Sequence, residues 1–197
     1  MRKTLIMATG NAGKVREIAA ILADEYEEVI SMKQAGISVE IIEDADSFLG
    51  NARKKALAIS AVTDYDVVAD DSGLCVDGLN GRPGVYSARY SESGTDEDNN
   101  KKLVREVASL NQEGRKAHYA CAIVLARDGK EIFSCEGTCD GHIITEPAGE
   151  GGFGYDPYFY LEAYGETFAQ MEPAKKNRIS HRAIALQKLK DFLEDER

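Results

Sequence analysis

Two adjacent aspartates, Asp70 and Asp71, follow the apolar run Val67-Val68-Ala69 and precede Ser72-Gly73. Two carboxylates side by side at a strand end cannot both turn inward without a cation or another partner. Mg²⁺ takes one or two carboxylates together with phosphate oxygens and waters. A carboxylate in such a place can also accept a proton from an attacking water. The alternative is a plain acidic turn, because Asp and Gly are common turn formers.

Four further segments carry residue types suited to an anionic, aromatic ligand. Thr9-Gly10-Asn11-Ala12-Gly13-Lys14 joins an apolar run to a helical pattern. Small residues let the backbone approach a ligand, and a helix N-terminus offers unpaired N–H groups. Lys14 adds a full charge. This is not a Walker A loop: only two residues separate Gly10 from Gly13-Lys14, and Val15 stands where Ser or Thr would meet Mg²⁺. A simple strand–helix turn with a surface lysine is the competing reading. Ser47, Asn51 and Lys55 recur at i, i+4 and i+8, which a helix projects on one face. They would set a hydroxyl, an amide and an ammonium over one anion, or else form an ordinary solvated face.

Gly151-Gly152-Phe153-Gly154-Tyr155-Asp156-Pro157 surrounds aromatics with glycine. Glycines beside Phe153 leave its ring face open for a purine to stack on. Asp156 could accept from a base or ribose donor. A rigid turn into a strand explains the same residues without a ligand. In Lys175-Lys176-Asn177-Arg178-Ile179-Ser180-His181-Arg182, Ser180 suits an N-cap. His181 and Arg182 then fall in a first helical turn, where cations oppose the helix dipole. Such an arrangement calls for a compensating acceptor, which a base carbonyl oxygen could supply. A basic surface patch is the bland reading.

Elements must hold these residues, and periodicity supplies them. Residues 3–8 read as a buried strand. Residues 14–22 read as a helix with Val15, Ile18, Ala19 and Leu22 on one face. Residues 47–62 form a longer helix with Phe48, Ala52, Ala56 and Ile59 as its stripe. Residues 66–70 form a strand ending at the paired aspartates. Thr95 with Asp98 resembles a capping box, opening a helix through Leu103, Val104, Val107 and Leu110. Residues 118–126 and 131–140 are strands joined across Asp128-Gly129, a hairpin signal. Residues 158–161 read as a further short strand. Residues 180–193 close the chain as a helix with Ala183, Leu186, Leu189 and Leu193 inward. Strands and helices alternate early and a hairpin follows, which predicts an α/β protein with a mixed sheet. Ligands in such sheets sit at the C-terminal ends of strands.

The chain has 197 residues. That length predicts one domain over residues 1–197, or two lobes sharing a core. A formal net charge of −10 disfavours a general nucleic-acid surface, so a small anion must be met by a local cluster. Nothing approaches the roughly 20 apolar residues of a membrane span. Cys75, Cys121, Cys135 and Cys139 show no CxxC spacing and read as free thiols in a reducing compartment, so a cytoplasmic location is expected.

Taken together, the runs TGNAGK, NARKKA, ADDSGLCVDGLNGRPGVYSARY, GGFGYDP and ISHR, in this order, resemble the inosine triphosphate pyrophosphatase family. The resemblance covers nearly the whole chain. It implies a twisted mixed β-sheet with flanking helices and two lobes around a nucleotide-binding cleft. It also implies a homodimer that needs Mg²⁺ and hydrolyses ITP, dITP or XTP to the monophosphate and pyrophosphate. Carried over, Thr9, Gly10, Asn11, Ala12, Gly13 and Lys14 would bind the nucleotide. Asp71 would be a metal ligand and the proton acceptor, with Asp70 its rival for the proton, and Ser72 would touch substrate. Asn51 and Lys55 would face phosphates. Phe153, Gly154, Tyr155 and Asp156 would hold the base, and Lys176, His181 and Arg182 would read its 6-oxo edge. Glu43 would be the second metal ligand. The chain departs from the family at this point: it reads Glu43-Asp44-Ala45 where the family usually has Glu-Thr-Gly, and Gly50 precedes Asn51. Asp44 is therefore the rival of Glu43. The stretch 78–90 adds to the resemblance and suggests no chemistry of its own.

Overall fold

The computed structural model describes every backbone position except Met1, Asn11 and Arg197, and leaves the side chains of Arg2, Lys3, Ala12, Gly13 and Glu17 undescribed. The expected nucleotide contact at Asn11 thus lies outside the described residues.

The chain opens with β1 (Arg2–Met7), α1 (Ala12–Ile21), β2 (Tyr26–Ser31), α2 (Phe48–Ser60) and β3 (Asp66–Val76). Two 3₁₀ turns follow, Asp77–Leu79 and Gly84–Arg89, and then α3 (Asp96–Val107). Next come β4 (Lys116–Arg127), β5 (Lys130–Ile143), a 3₁₀ turn at Asp156–Tyr158, β6 (Phe159–Leu161) and β7 (Glu166–Thr167). Helices α4 (Pro173–Ile179) and α5 (His181–Asp195) complete it. The sheet has seven strands in the order β2-β1-β3-β4-β5-β6-β7. β1 pairs in parallel with β2 and β3, whereas β6 pairs antiparallel with β5 and β7. The mixed α/β sheet is as expected.

Three differences from the sequence reading have physical causes. The strand at Asp66 runs on through both aspartates to Val76. The polar pair breaks the apolar pattern without breaking the backbone, because ion pairs take up its charge. β2 was not anticipated, since its central Glu27-Glu28 interrupts the apolar period. α4 was missed because it spans only Pro173–Ile179 and buries none of its residues. The hairpin turn at Asp128-Gly129 is present with φ of 51° and 71°, the positive pair that a type I′ turn requires.

The chain divides into two compact units. The first comprises Met1–Asp71, Cys121–Gly137 and Arg182–Arg197. Its strands are apolar on both faces. Leu5, Met7, Val68, Cys121, Ile123 and Leu125 pack with Ile18 and Leu22 of α1 and with Ala185, Leu186, Leu189 and Leu193 of α5. Their neighbours Ile6, Val67, Ala69, Ala122, Val124 and Ala126 pack with Ala52, Ala56 and Ile59 of α2. The strand period of two sends alternate residues to opposite helix layers. The second unit comprises Ser72–Ala120 and Thr138–His181. Its own core joins Leu74 and Val76 to Leu103 and Val107 of α3 and to Tyr119, Phe159 and Phe168.

α2 begins at Ser47, whose side chain accepts from the Gly50 N–H at 3.1 Å. Gly50 is explained by crowding. A Cβ there would sit 2.7 Å from the Ala45 Cβ and 3.0 Å from Ser47 Oγ. Helix propensity alone would make Gly50→Ala stabilising by about 1 kcal/mol. The clash reverses this, so Gly50→Ala should lower stability by about 1 kcal/mol or more in urea unfolding.

Candidate active site

The alternation that divides Val67 and Val68 between two helix layers continues into the acidic pair. Asp70 falls on the α1 and α5 side and is 2% exposed. Lys14 Nζ, in the first turn of α1, donates to Asp70 Oδ2 at 2.7 Å. Arg182 Nε, in the first turn of α5, lies 3.5 Å from the same oxygen, and Arg182 is 4% exposed. Both cations sit at helix ends whose dipole disfavours them. The acceptor expected opposite Arg182 is therefore present, and it is a protein carboxylate. Burial pushes the Asp70 carboxyl up, but the Lys14 ammonium and Arg182 guanidinium outweigh it and hold Asp70 well below the usual carboxylate range. An acid so firmly ionised and paired is a poor proton acceptor.

Asp71 falls on the α2 side. Asn51 Nδ2 donates to its Oδ2 at 3.1 Å, while Asn51 Oδ1 accepts from the Ala45 N–H at 3.0 Å. Lys55 Nζ lies 3.8 Å from Asp71 Oδ1 and donates to Glu43 Oε2 at 2.7 Å. Burial pushes the Asp71 carboxyl up, against the pull of Lys55 and the Asn51 hydrogen bond. Glu43 thus shares Lys55 with Asp71, whereas Asp44 is turned to the exposed Lys54. Ser47 does not join this row, because its hydroxyl caps the helix.

Among the described residues, no group of three or more His, Cys, Asp or Glu side chains is arranged to hold a metal. Glu43 and Asp71, both drawn to Lys55, are the hard oxygen donors that could serve a Mg²⁺ ion here. The β1–α1 turn contributes backbone: Thr9 N–H donates to the Met7 carbonyl at 2.8 Å, and Gly10 is exposed with open space where a Cβ would stand. Ala12 and Gly13 open α1.

In the second unit, the glycine-rich loop holds Phe153 58% exposed. Asp156, 3% exposed, organises it. Its Oδ2 accepts from the Phe153 N–H at 2.8 Å and from Lys176 Nζ. That ammonium also lies 4.9 Å from the Phe153 ring centroid. Gly152 has φ +74°, and a Cβ there would meet Asp156 Oδ2 at 2.1 Å, so glycine is required. Tyr155 is buried with its hydroxyl donating to the Ser87 carbonyl at 2.6 Å. Ser72, partly buried, is the first residue of this unit.

His181 is 6% exposed and its ring stacks on Tyr119 at 4.7 Å and 11°. Tyr119 in turn packs edge-on against Phe159 at 4.7 Å. Tyr119 was not singled out in the sequence, where it reads as one more apolar residue of β4. Of the three residues expected at a 6-oxo edge, Lys176 and His181 belong to this unit. Arg182 is engaged with Asp70 in the first.

The fold is that of an α/β protein with a seven-stranded mixed sheet. A family model for the Ham1 family matches residues 5–192, and the chain belongs to that family. The dITP/XTP pyrophosphatase of Geobacillus kaustophilus is 47% identical, the match covering 98% of this chain and 95% of that one. That of Clostridium tetani is 46% identical, covering 98% and 99%. The solved Ham1 protein of Staphylococcus aureus superposes with a TM-score of 0.90 at 37% identity, covering 98% of this chain and 100% of its own. The kinship expected from the five sequence runs is borne out.

The two aspartates should respond unequally to neutralisation. Asp70→Asn removes the buried anion that Lys14 and Arg182 face, and should cost about 3 kcal/mol or more in chemical denaturation. Asp71→Asn removes a carboxylate already disfavoured by burial, and should change stability by less than about 1 kcal/mol.

Proposed function

We propose that the protein hydrolyses deaminated purine nucleoside triphosphates, ITP, dITP and XTP, to the monophosphate and pyrophosphate, with Mg²⁺ as its metal. The observation that carries this reading is the shared cluster of Asp71, Asn51, Lys55 and Glu43. It meets the needs of a magnesium polyphosphate: hard oxygen donors next to ammonium groups. The names of relatives up to 47% identical support the substrate class. Assembly as a homodimer in the cytoplasm, acting on the nucleotide pool, belongs to the same proposal.

Glu43 and Asp71 would hold the metal, which when bound supplies charge neutralisation along the polyphosphate. The chain's own groups do the rest. A water oxygen attacks the α-phosphorus, the bond from that phosphorus to the oxygen bridging the β-phosphate breaks, and pyrophosphate departs. Asp71 receives the proton, being the acid of the pair that is not locked between two cations. Lys55 and Lys14 offset charge growing on the leaving group. An ammonium has three protons, so a bond from Lys14 to Asp70 is compatible with another to phosphate. Thr9 and the backbone N–H groups at the opening of α1 face the same anion, and Ser72 follows directly after Asp71.

The base is assigned to the Phe153 loop. Its ring stacks on the purine, and Asp156 and Tyr155 fix the loop beneath it. Donors on Lys176 and His181 favour a 6-oxo group. Adenine presents an N6 donor there, which would leave those donors unpaired and exclude ATP.

Incubation with dITP and Mg²⁺ should yield dIMP and pyrophosphate. Release of inorganic phosphate instead would make the enzyme a phosphatase and contradict cleavage at the α–β bond. Asp71→Asn should lower kcat by about 10³-fold. Near-normal turnover would remove Asp71 from the role of proton acceptor. Phe153→Ala should raise KM for dITP by about tenfold, the loss expected for one base stack.

A further inference from the structure

A ring that stacks on a base must be held still, yet Phe153 lies between Gly152 and Gly154, whose φ values are +74° and +60°. Nothing lies within 4 Å of where a Gly154 Cβ would be, so side-chain packing does not fix this residue. Hydrogen bonds from α3 do. The Gly154 N–H donates to Asp96 Oδ2 at 2.8 Å. The Gly154 carbonyl accepts from Asn100 Nδ2 at 2.9 Å. Asp96 and Asn100 are one helical turn apart, so a single helix face brackets both polar groups of one loop residue.

Asn100 is an odd residue for its position. It continues the stripe of Leu103 and Val107, both fully buried, and is itself 9% exposed. Its Oδ1 is buried with no hydrogen-bond partner among the described residues. Burying an amide with half its capacity unused costs stability that an apolar residue of similar size would not. Folding alone therefore gives no reason for asparagine there, whereas the Gly154 bond does.

We propose that Asn100, with the exposed Asp96 as its counterpart, is a positioning residue for purine binding. It clamps Gly154 and thereby sets the Phe153 ring on one side and the Asp156 carboxylate on the other. The inference deepens the functional reading above and rests on it for the identity of the ligand.

The test compares Asn100→Leu with the wild-type protein by four measurements. Thermal unfolding should stay level or rise, since an unpaired buried amide is removed. Hydrogen exchange of residues 151–157 without ligand should speed up. KM for dITP should rise about three- to tenfold with kcat changed less than about twofold, the signature of lost uniform binding. Inhibition by inorganic tripolyphosphate, which has no base, should be unchanged. Asp96→Ala, at an exposed site, should accelerate the same exchange, and Asp96→Asn, which keeps an acceptor, should restore it. Unchanged exchange and KM in Asn100→Leu would overturn the clamp. So would parallel losses of melting temperature, dITP affinity and tripolyphosphate affinity, which mark a merely structural residue. Wild-type turnover of dITP tests the functional reading separately, because the clamp is intact there, while ligand-free exchange tests the clamp whatever the substrate.

Discussion

Consecutive residues of a β-strand point to opposite faces, and Asp70 and Asp71 are consecutive in β3. Everything in the first unit's site follows from that. The face that carries Val68 carries Asp70 to Lys14 and Arg182. The face that carries Val67 and Ala69 carries Asp71 to Asn51 and Lys55. One carboxylate is spent on structure, joining α1, β3 and α5 through charge. The other is left in a partly open, polar setting where burial disfavours its charge. A single-residue shift in strand register would exchange these roles and put a lone carboxylate among the wrong cations. The adjacent pair is therefore two separate devices, one holding helices and one left half-buried beside Asn51 and Lys55.

The second unit solves a different problem. It must present an apolar ring to solvent without letting it wander. Asp156 does this by accepting from the backbone beneath Phe153 and from Lys176, whose ammonium also lies over the ring face. The Lys176 charge is thus held beside the surface where a base would stack. His181 is fixed by ring stacking on Tyr119, so its orientation is set by the aromatic core of this unit. Preorganisation of this kind lowers the ordering cost of binding.

Much of this was legible in the sequence. Alternation and helical period gave the layers, because Ile6, Val67 and Val124 are apolar at the places a buried strand demands. The spacing of Asn51 and Lys55 placed both on the face that reaches Asp71. Ser47 shares their period but caps the helix, since its position before the first turn decides its partner. The roles of Asp70 and Asp71 could not be told apart, because adjacency in sequence conceals opposition in space. Glu43 and Asp44 were likewise alike in sequence, and in the fold Lys55 pairs with the first and Lys54 with the second. Gly50 looked like a cost in a helix and is explained only by the approach of Ala45. Tyr119 and Asn100 were hidden inside apolar stripes, although a polar residue at Asn100's place on the Leu103 and Val107 stripe was a signal in itself.

The most direct measurement is calorimetric titration of tripolyphosphate into wild-type protein and Asp71→Asn, each with Mg²⁺ and with chelator. If a divalent ion reconciles Asp71 and Glu43 with a polyanion, wild-type binding should be weak in chelator and at least tenfold tighter with Mg²⁺. In the variant much of that difference should disappear. Equal wild-type affinity under both conditions would contradict the account, because the carboxylates would then tolerate the polyanion unaided.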